Sequence, residues 1–298
     1  MNFLTVAKEK QRINQAVLAV PMALGPNDKL TPFVNRLNEE NPDAVIWQAD
    51  AIADDFSKEV IWDQVKQGGA KTVDDGDMSS MKKASMKAEL EQAYQEFLAN
   101  WPSIQQQIVQ ELVQNARQTA GERYLFLSYQ NKEEGGRGEM GPADQAFFLT
   151  SALKVAGDAF SGVYVPSQLD ENLQEKVRDA ANEAGVPVIL TVALAELTKE
   201  SLSKAFEKAA VFGADFVNLE CSGNSLSAVE VSDVELMLQS LADKYTNKVL
   251  PILTITKDLS KDQLEAWLVL PSALVTLALS EQDKTPLIQS TVRSLGWQ

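Results

Sequence analysis

Short aliphatic and β-branched runs recur along the chain with amphipathic stretches between them. They predict strands at Val17–Met22, Ala44–Asp50, Tyr124–Tyr129, Gly162–Pro166, Pro187–Ala193, Phe216–Cys221, Leu250–Thr256 and Leu274–Ser280. The runs are nearly continuous in apolar residues, the pattern of parallel strands buried on both faces. Between them, residues 168–184 place Leu169, Leu173, Val177, Ala180, Ala181 and Ala184 along one helical face, and Gly185 is placed to end the helix. Leu197–Val211 repeats the design, with Thr198 as N-cap, Leu202, Ala205, Phe206 and Ala209 inward, and Gly213 as terminator. Val231–Tyr245 does the same with Val234, Met237, Leu238 and Leu241. Strand–helix alternation predicts parallel βαβ units, and eight strands predict an α/β protein of the (β/α)8 TIM-barrel class, one domain over residues 1–298.

One interval breaks the rhythm. Between Asp50 and Tyr124 there is room for about two strand–helix units but no recognisable strand. A polar, turn-rich stretch, Gly68 to Asp77, is followed by two helical patterns, Met81–Asn100 and Pro102–Thr119, with Pro102 expected to open the second helix. Residues 68–120 are therefore expected to form a helical insertion between strands two and three together with the barrel's second helix. A surface cover is the favoured role, because long surface insertions cost little stability. A lid or partner-binding element is the alternative.

Composition narrows the chemistry. The formal charge is 27 − 42 = −15. Such a surface repels polyphosphates, so nucleic acid and anionic membranes are not expected partners; a few local donors can still hold a small anionic or hydroxylated ligand. The one cysteine, Cys221, excludes an internal disulfide. The opening Met1-Asn2-Phe3-Leu4, followed by Lys8-Glu9-Lys10, lacks a signal-peptide core. No apolar run reaches the roughly 18 residues of a membrane span, and the cytoplasm is the expected location. Histidine is absent, which excludes Ser-His-Asp triads, Cys-His dyads, helical zincin motifs and imidazole acid–base chemistry. No cofactor is expected.

Two segments carry a family likeness. Pro42-Asp43-Ala44-Val45-Ile46-Trp47-Gln48-Ala49-Asp50 resembles the second strand of type I 3-dehydroquinate dehydratases, where Glu-Trp-Arg-x-Asp occupies the same frame. Tyr124-Leu125-Phe126-Leu127-Ser128-Tyr129, followed by Gln130-Asn131-Lys132-Glu133-Glu134-Gly135-Gly136, resembles the third strand and its Glu-Gly-Gly turn. Val20-Pro21-Met22, Ala184 to Thr191, and Phe212-Gly213-Ala214-Asp215-Phe216 are in keeping with strand one and the approaches to strands five and six. The resemblance implies a barrel, often dimeric, in which a strand-six lysine forms an imine with the substrate ketone. A histidine after strand five moves protons, and arginines hold the carboxylate. The lysine position falls on Asn218, the histidine on Ala193, the strand-two Glu and Arg on Ile46 and Gln48, and the strand-three arginine on Tyr129. Asp50, Lys132 and a glutamate at Glu133 or Glu134 are retained. The resemblance thus implies a relative that has lost dehydratase chemistry, a pseudoenzyme or binding protein.

Chemistry in such barrels sits at the C-terminal strand ends. The residues expected to bind a ligand there are Gln48, Asp50, Tyr129, Lys132 and Asn218, with Lys257 and Glu133 as catalytic candidates. Lys257, just past strand seven, is the lysine that could form an imine in a lyase or aldolase of changed chemistry; a solvated loop lysine is the plainer reading. Cys221 lacks a histidine to activate it and reads as a small apolar filler. Asp50, Glu133 and Glu220 could form a carboxylate cluster able to hold Mg²⁺ or Mn²⁺, but their spacing follows no diagnostic motif, and no metal is expected. Gly135-Gly136-Arg137-Gly138 lacks the Lys-Ser/Thr of a phosphate loop and is expected to allow an unusual turn.

Overall fold

In the computed structural model the described residues are 3–12, 16–25, 29–69, 80–132, 136–166, 168–221, 231–245, 249–255 and 270–276. Eight parallel strands form a nearly closed (β/α)8 barrel: β1 (Val17–Met22), β2 (Ala44–Gln48), β3 (Tyr124–Ser128), β4 (Gly162–Val165), β5 (Val188–Leu194), β6 (Phe216–Cys221), β7 (Leu250–Ile255) and β8 (Leu274–Thr276). From β1 to β7 each strand pairs with its sequence neighbour, and β8 returns to pair with β1. The observed strands match the expected ones to within a few residues, except that the end expected for the eighth, beyond Thr276, lies outside the described residues.

The seam between β7 and β8 is closed by the residues that lead into β8. The Ala273 N–H donates to Pro251 O at 2.8 Å, and Leu253 N–H donates to Ser272 Oγ at 3.1 Å. Val17 N–H donates to Ala273 O at 3.0 Å on the other side. Backbone groups of alternate residues point the same way along a strand, so Pro21 and Pro251 both turn their donorless nitrogens toward β8. A proline is tolerated in a strand where no ladder bond is demanded of it; Pro251 sits at the β7–β8 seam, and Pro21 lies past the paired part of β1 and β8.

The helices are α1 (Phe3–Arg12), α2 (Leu30–Glu40), α3 (Lys58–Gly69), α4 (Ser80–Ala120), α5 (Pro142–Ala156), α6 (Glu171–Ala184), α7 (Lys199–Phe212) and α8 (Val231–Tyr245). Their ends follow the caps legible in the sequence. Asp170 accepts the Leu173 N–H at 2.9 Å, and Gly185 takes the left-handed conformation that closes α6 (φ 69). Thr198 and Ser201 cap α7 reciprocally, and Gly213 ends it at φ 81.

The interval between β2 and β3 departs from expectation in two ways. The helix α3 is not announced by the periodicity, and α4 runs unbroken for 41 residues through Pro102 instead of restarting there. An interior proline costs a helix about 3 kcal/mol, but both flanks of this one are anchored. On the N-terminal side Phe97 stacks among Trp62, Tyr94 and Trp101. On the C-terminal side Val109, Leu112, Val113 and Ala116 are buried in the layer between helices and strands.

Two apolar cores result. The larger lies between the outward strand faces and the helices; the smaller fills the barrel interior with Val17, Ala19, Ala44, Ile46, Phe126, Tyr164, Ile189, Phe216, Leu250, Ile252 and Leu274. Helix α1 closes the N-terminal end by inserting Phe3 against Tyr124, Phe126 and Phe216, with ring centroids 4.6–5.5 Å apart. Two aspartates reinforce that end with one repeated device. Asp43, just before β2, accepts the Leu18 N–H of β1 at 2.9 Å and the Lys10 ammonium of α1 at 2.7 Å. Asp215, just before β6, accepts the Val188 N–H of β5 at 2.9 Å.

Candidate functional site

Side chains alternate along a strand, so the inward positions can be followed upward from the apolar core. One step toward the C-terminal end from Ile46, Phe126, Ile189, Phe216, Ile252 and Leu274 stand Gln48, Ser128, Thr191, Asn218, Thr254 and Thr276. Every one is polar. One step further on β5 and β6 come Ala193 and Glu220, paired in register. A ring of polar groups over an apolar floor is costly for folding alone, because each buried group demands a partner. The ring lies at the C-terminal strand ends, where barrels of this class place their sites.

Within the ring Asn218 is the hub. It is buried (2% exposed) and accepts the Thr254 hydroxyl at 2.7 Å, while its Nδ2 points to Thr191 Oγ1 at 3.4 Å and Glu220 Oε1 at 3.5 Å. Tyr164 rises from the apolar layer beneath. Its hydroxyl is buried and has no hydrogen-bond partner among the described residues. Burial first, and the Glu220 charge second, push this phenol well above its ordinary range, so it stays a neutral donor. Glu220 is the only charged side chain on the eight strands as described. The interior thus offers neutral donors and acceptors with one carboxylate, and no lysine or arginine on any described strand.

The mouth also has a built rim. Asp50 lies in a tight helical turn (Ala49–Ala51) after β2 and is buried; its carboxylate accepts Gln130 N–H at 3.2 Å and Arg137 N–H at 2.8 Å. Desolvation raises its pKa above the usual aspartate value, against the lowering effect of those backbone donors. Tyr129 faces away from the interior, is buried against Phe148, and donates from its hydroxyl to Asp54 Oδ1 at 2.7 Å while accepting Met140 N–H at 3.0 Å. Asp54 also accepts Glu139 N–H at 2.5 Å. Together these groups strap down the segment after β3. Gly136 and Gly138 are required by the strap: a Cβ at Gly136 would stand 2.2 Å from Gln130 O, and one at Gly138 2.5 Å from the Tyr129 ring. The glycine-rich turn is a matter of close packing.

The expected site residues accordingly fall into separate places. Gln48 and Asn218 face the interior. Asp50 and Tyr129 secure the rim. Lys132 is exposed and pairs with Glu139. Glu133 and Lys257 lie outside the described residues. Tyr164, Thr191, Thr254 and Ser128 are not singled out in the sequence; the signal that finds the last three is a polar residue recurring one inward step above the apolar layer on six of the eight strands. Among the described residues no three His, Cys, Asp or Glu side chains gather as a metal site, and no helix is long and apolar enough to cross a membrane. A groove of 690 Å³ opens elsewhere, on the flank beside α4 and α5, lined by Asp54, Phe56, Trp101, Ile108, Met140 and the half-exposed Phe147.

No protein-family model matches the chain, and no curated protein matches it in sequence. The fold is shared with solved structures. The 3-dehydroquinate dehydratase of Geobacillus kaustophilus HTA426 superposes with a TM-score of 0.62 at 14% identity, over 95% of this chain and 90% of that one. The type I enzyme of Clostridium difficile gives 0.61 at 11% identity, over 94% and 92%. The carboxyl transferase domain of Rhizobium etli pyruvate carboxylase gives 0.57 at 10% identity, over all of this chain and 46% of that one. At such identities what is shared is the barrel fold, in dehydroquinate dehydratases and in other barrel enzymes alike.

Proposed function

We propose that this chain is a dehydroquinate dehydratase-like barrel that binds a small hydroxylated molecule at its C-terminal mouth and does not perform imine-based dehydration. The observation that carries the reading is Asn218, which stands on the inward face of β6 where the resemblance implies the imine lysine. Its amide is hydrogen-bonded to Thr254 and close to Thr191. An amide has no basic lone pair to attack a ketone, so no Schiff base can form there. Ala193, where the resemblance implies the proton-moving histidine, has nothing to titrate. General acid–base help is worth roughly 10²–10⁴-fold, and covalent activation is lost with it. The polar ring supports binding: its hydroxyls and amides are the groups that recognise hydroxyl and carbonyl oxygens.

The test is borohydride reduction in the presence of 3-dehydroquinate, followed by intact-mass measurement. An unmodified mass is expected; an adduct of reduced substrate on any lysine, Lys257 included, would overturn the non-imine reading. Binding is read separately by thermal shift against hydroxylated small molecules. Saturation at a hundred times Kd stabilises the fold by about 2.7 kcal/mol.

A further inference from the structure

Resting on the mouth-binding reading above, we propose that the site selects an uncharged polyhydroxylated molecule, a cyclic polyol or monosaccharide, and that the Tyr164 hydroxyl is its deepest contact. The first ground is the buried phenol itself. Its ring is packed in the apolar layer beside Phe126, while its hydroxyl has no partner among the described residues. A buried donor without an acceptor is disfavoured by the full desolvation of that group. Phenylalanine would fill the same space without that penalty, so the hydroxyl is explained by an oxygen that enters from the mouth and accepts from it.

The second ground is the character of the surrounding groups. Thr191, Asn218 and Thr254 form one hydrogen-bonded set on three adjacent strands. Each hydroxyl in it can turn to donate or accept, and the Asn218 amide offers both. A polyol, whose every hydroxyl also does both, is matched group for group by such a surface. A carboxylate is not: no described strand carries a lysine or arginine, and the charge that is present, Glu220, has the wrong sign for an anion. The described strands therefore fit a hydroxylated neutral molecule better than a hydroxylated acid.

The experiment compares myo-inositol and D-glucose with 3-dehydroquinate by calorimetry on the wild-type chain, Tyr164→Phe and Asn218→Ala. The expected result is binding of at least one neutral polyol, weakened about three- to tenfold by Tyr164→Phe and further by Asn218→Ala, with 3-dehydroquinate the weaker ligand. Tyr164→Phe keeps the ring, so folding is preserved and a loss of affinity is attributable to the hydroxyl. If 3-dehydroquinate binds as tightly as the polyols, or if Tyr164→Phe leaves polyol affinity unchanged, the polyol assignment falls while the mouth-binding reading stands. If neither class binds, both fall. A crystal structure grown with the polyol that shows only a water on Tyr164 would likewise overturn the assignment.

Discussion

At its N-terminal end the barrel is filled by Phe3, Tyr124, Phe126 and Phe216 in ring contact, and aspartates bond the neighbouring strands. At its C-terminal end the same strands present Gln48, Ser128, Thr191, Asn218, Glu220 and Thr254, above a phenol hydroxyl with no described partner. The first end is closed by ring packing and strand-bonding aspartates; the second leaves a phenol donor without a described partner inside the barrel. On the mouth-binding proposal, the difference separates what a barrel needs in order to fold from what it keeps for recognition, since stability gains little from the second arrangement.

The largest break in this comparison is Phe3→Ala. Removing a ring that is 2% exposed should cost about 3–5 kcal/mol in urea unfolding, while any ligand affinity of the mouth stays unchanged. Next comes Tyr129→Phe, which strips Asp54 and the Met140 N–H of a shared partner. It should cost about 2 kcal/mol and loosen the strapped segment after β3, visible as faster amide exchange over residues 136–140. Tyr164→Phe should act in the opposite direction. With no bond to lose, it should stabilise the apo protein by about 1 kcal/mol, and a fall in melting temperature would show that the hydroxyl already has a partner.

The smallest effect concerns pH. Burial raises the pKa of Asp50, so its folded form holds the proton more tightly than the unfolded chain does. Its contribution to stability is therefore greatest below the unfolded aspartate value and is lost as pH rises through the raised folded value. The stability of the wild type relative to Asp50→Asn should shift toward the wild type on acidification from pH 7, as followed by chemical unfolding. No shift, or one of opposite sign, would mean that the Gln130 and Arg137 backbone donors outweigh desolvation.

The fold was legible because its signals are local and repeated. Parallel strands buried on both faces read as apolar runs, and Thr198, Gly185 and Gly213 marked their helix ends. The unbroken α4 was not legible, because what carries a helix through Pro102 is an aromatic cluster assembled from two segments, Trp62 on α3 and Tyr94, Phe97 and Trp101 on α4. Site residues divided in the same way. Asn218 was singled out only through the family resemblance, as the position of the imine lysine. Asp50 and Tyr129 stood equally near strand ends, yet which way such a side chain turns depends on the turn that follows the strand. Tyr164 looked like core, and only its missing partner distinguishes it.

Helix α1 has a consequence for how the chain must assemble. Phe3 is synthesised well before the strands it meets, yet it packs on Phe126 of β3 and Phe216 of β6. Its berth does not exist until most of the barrel has been synthesised. The first helix must wait with its apolar face unmet, and the interior is sealed from below only at the end. Closing so long a loop late makes folding slow rather than unfavourable. The interval in which the floor is open is when the chain is most exposed to wrong association.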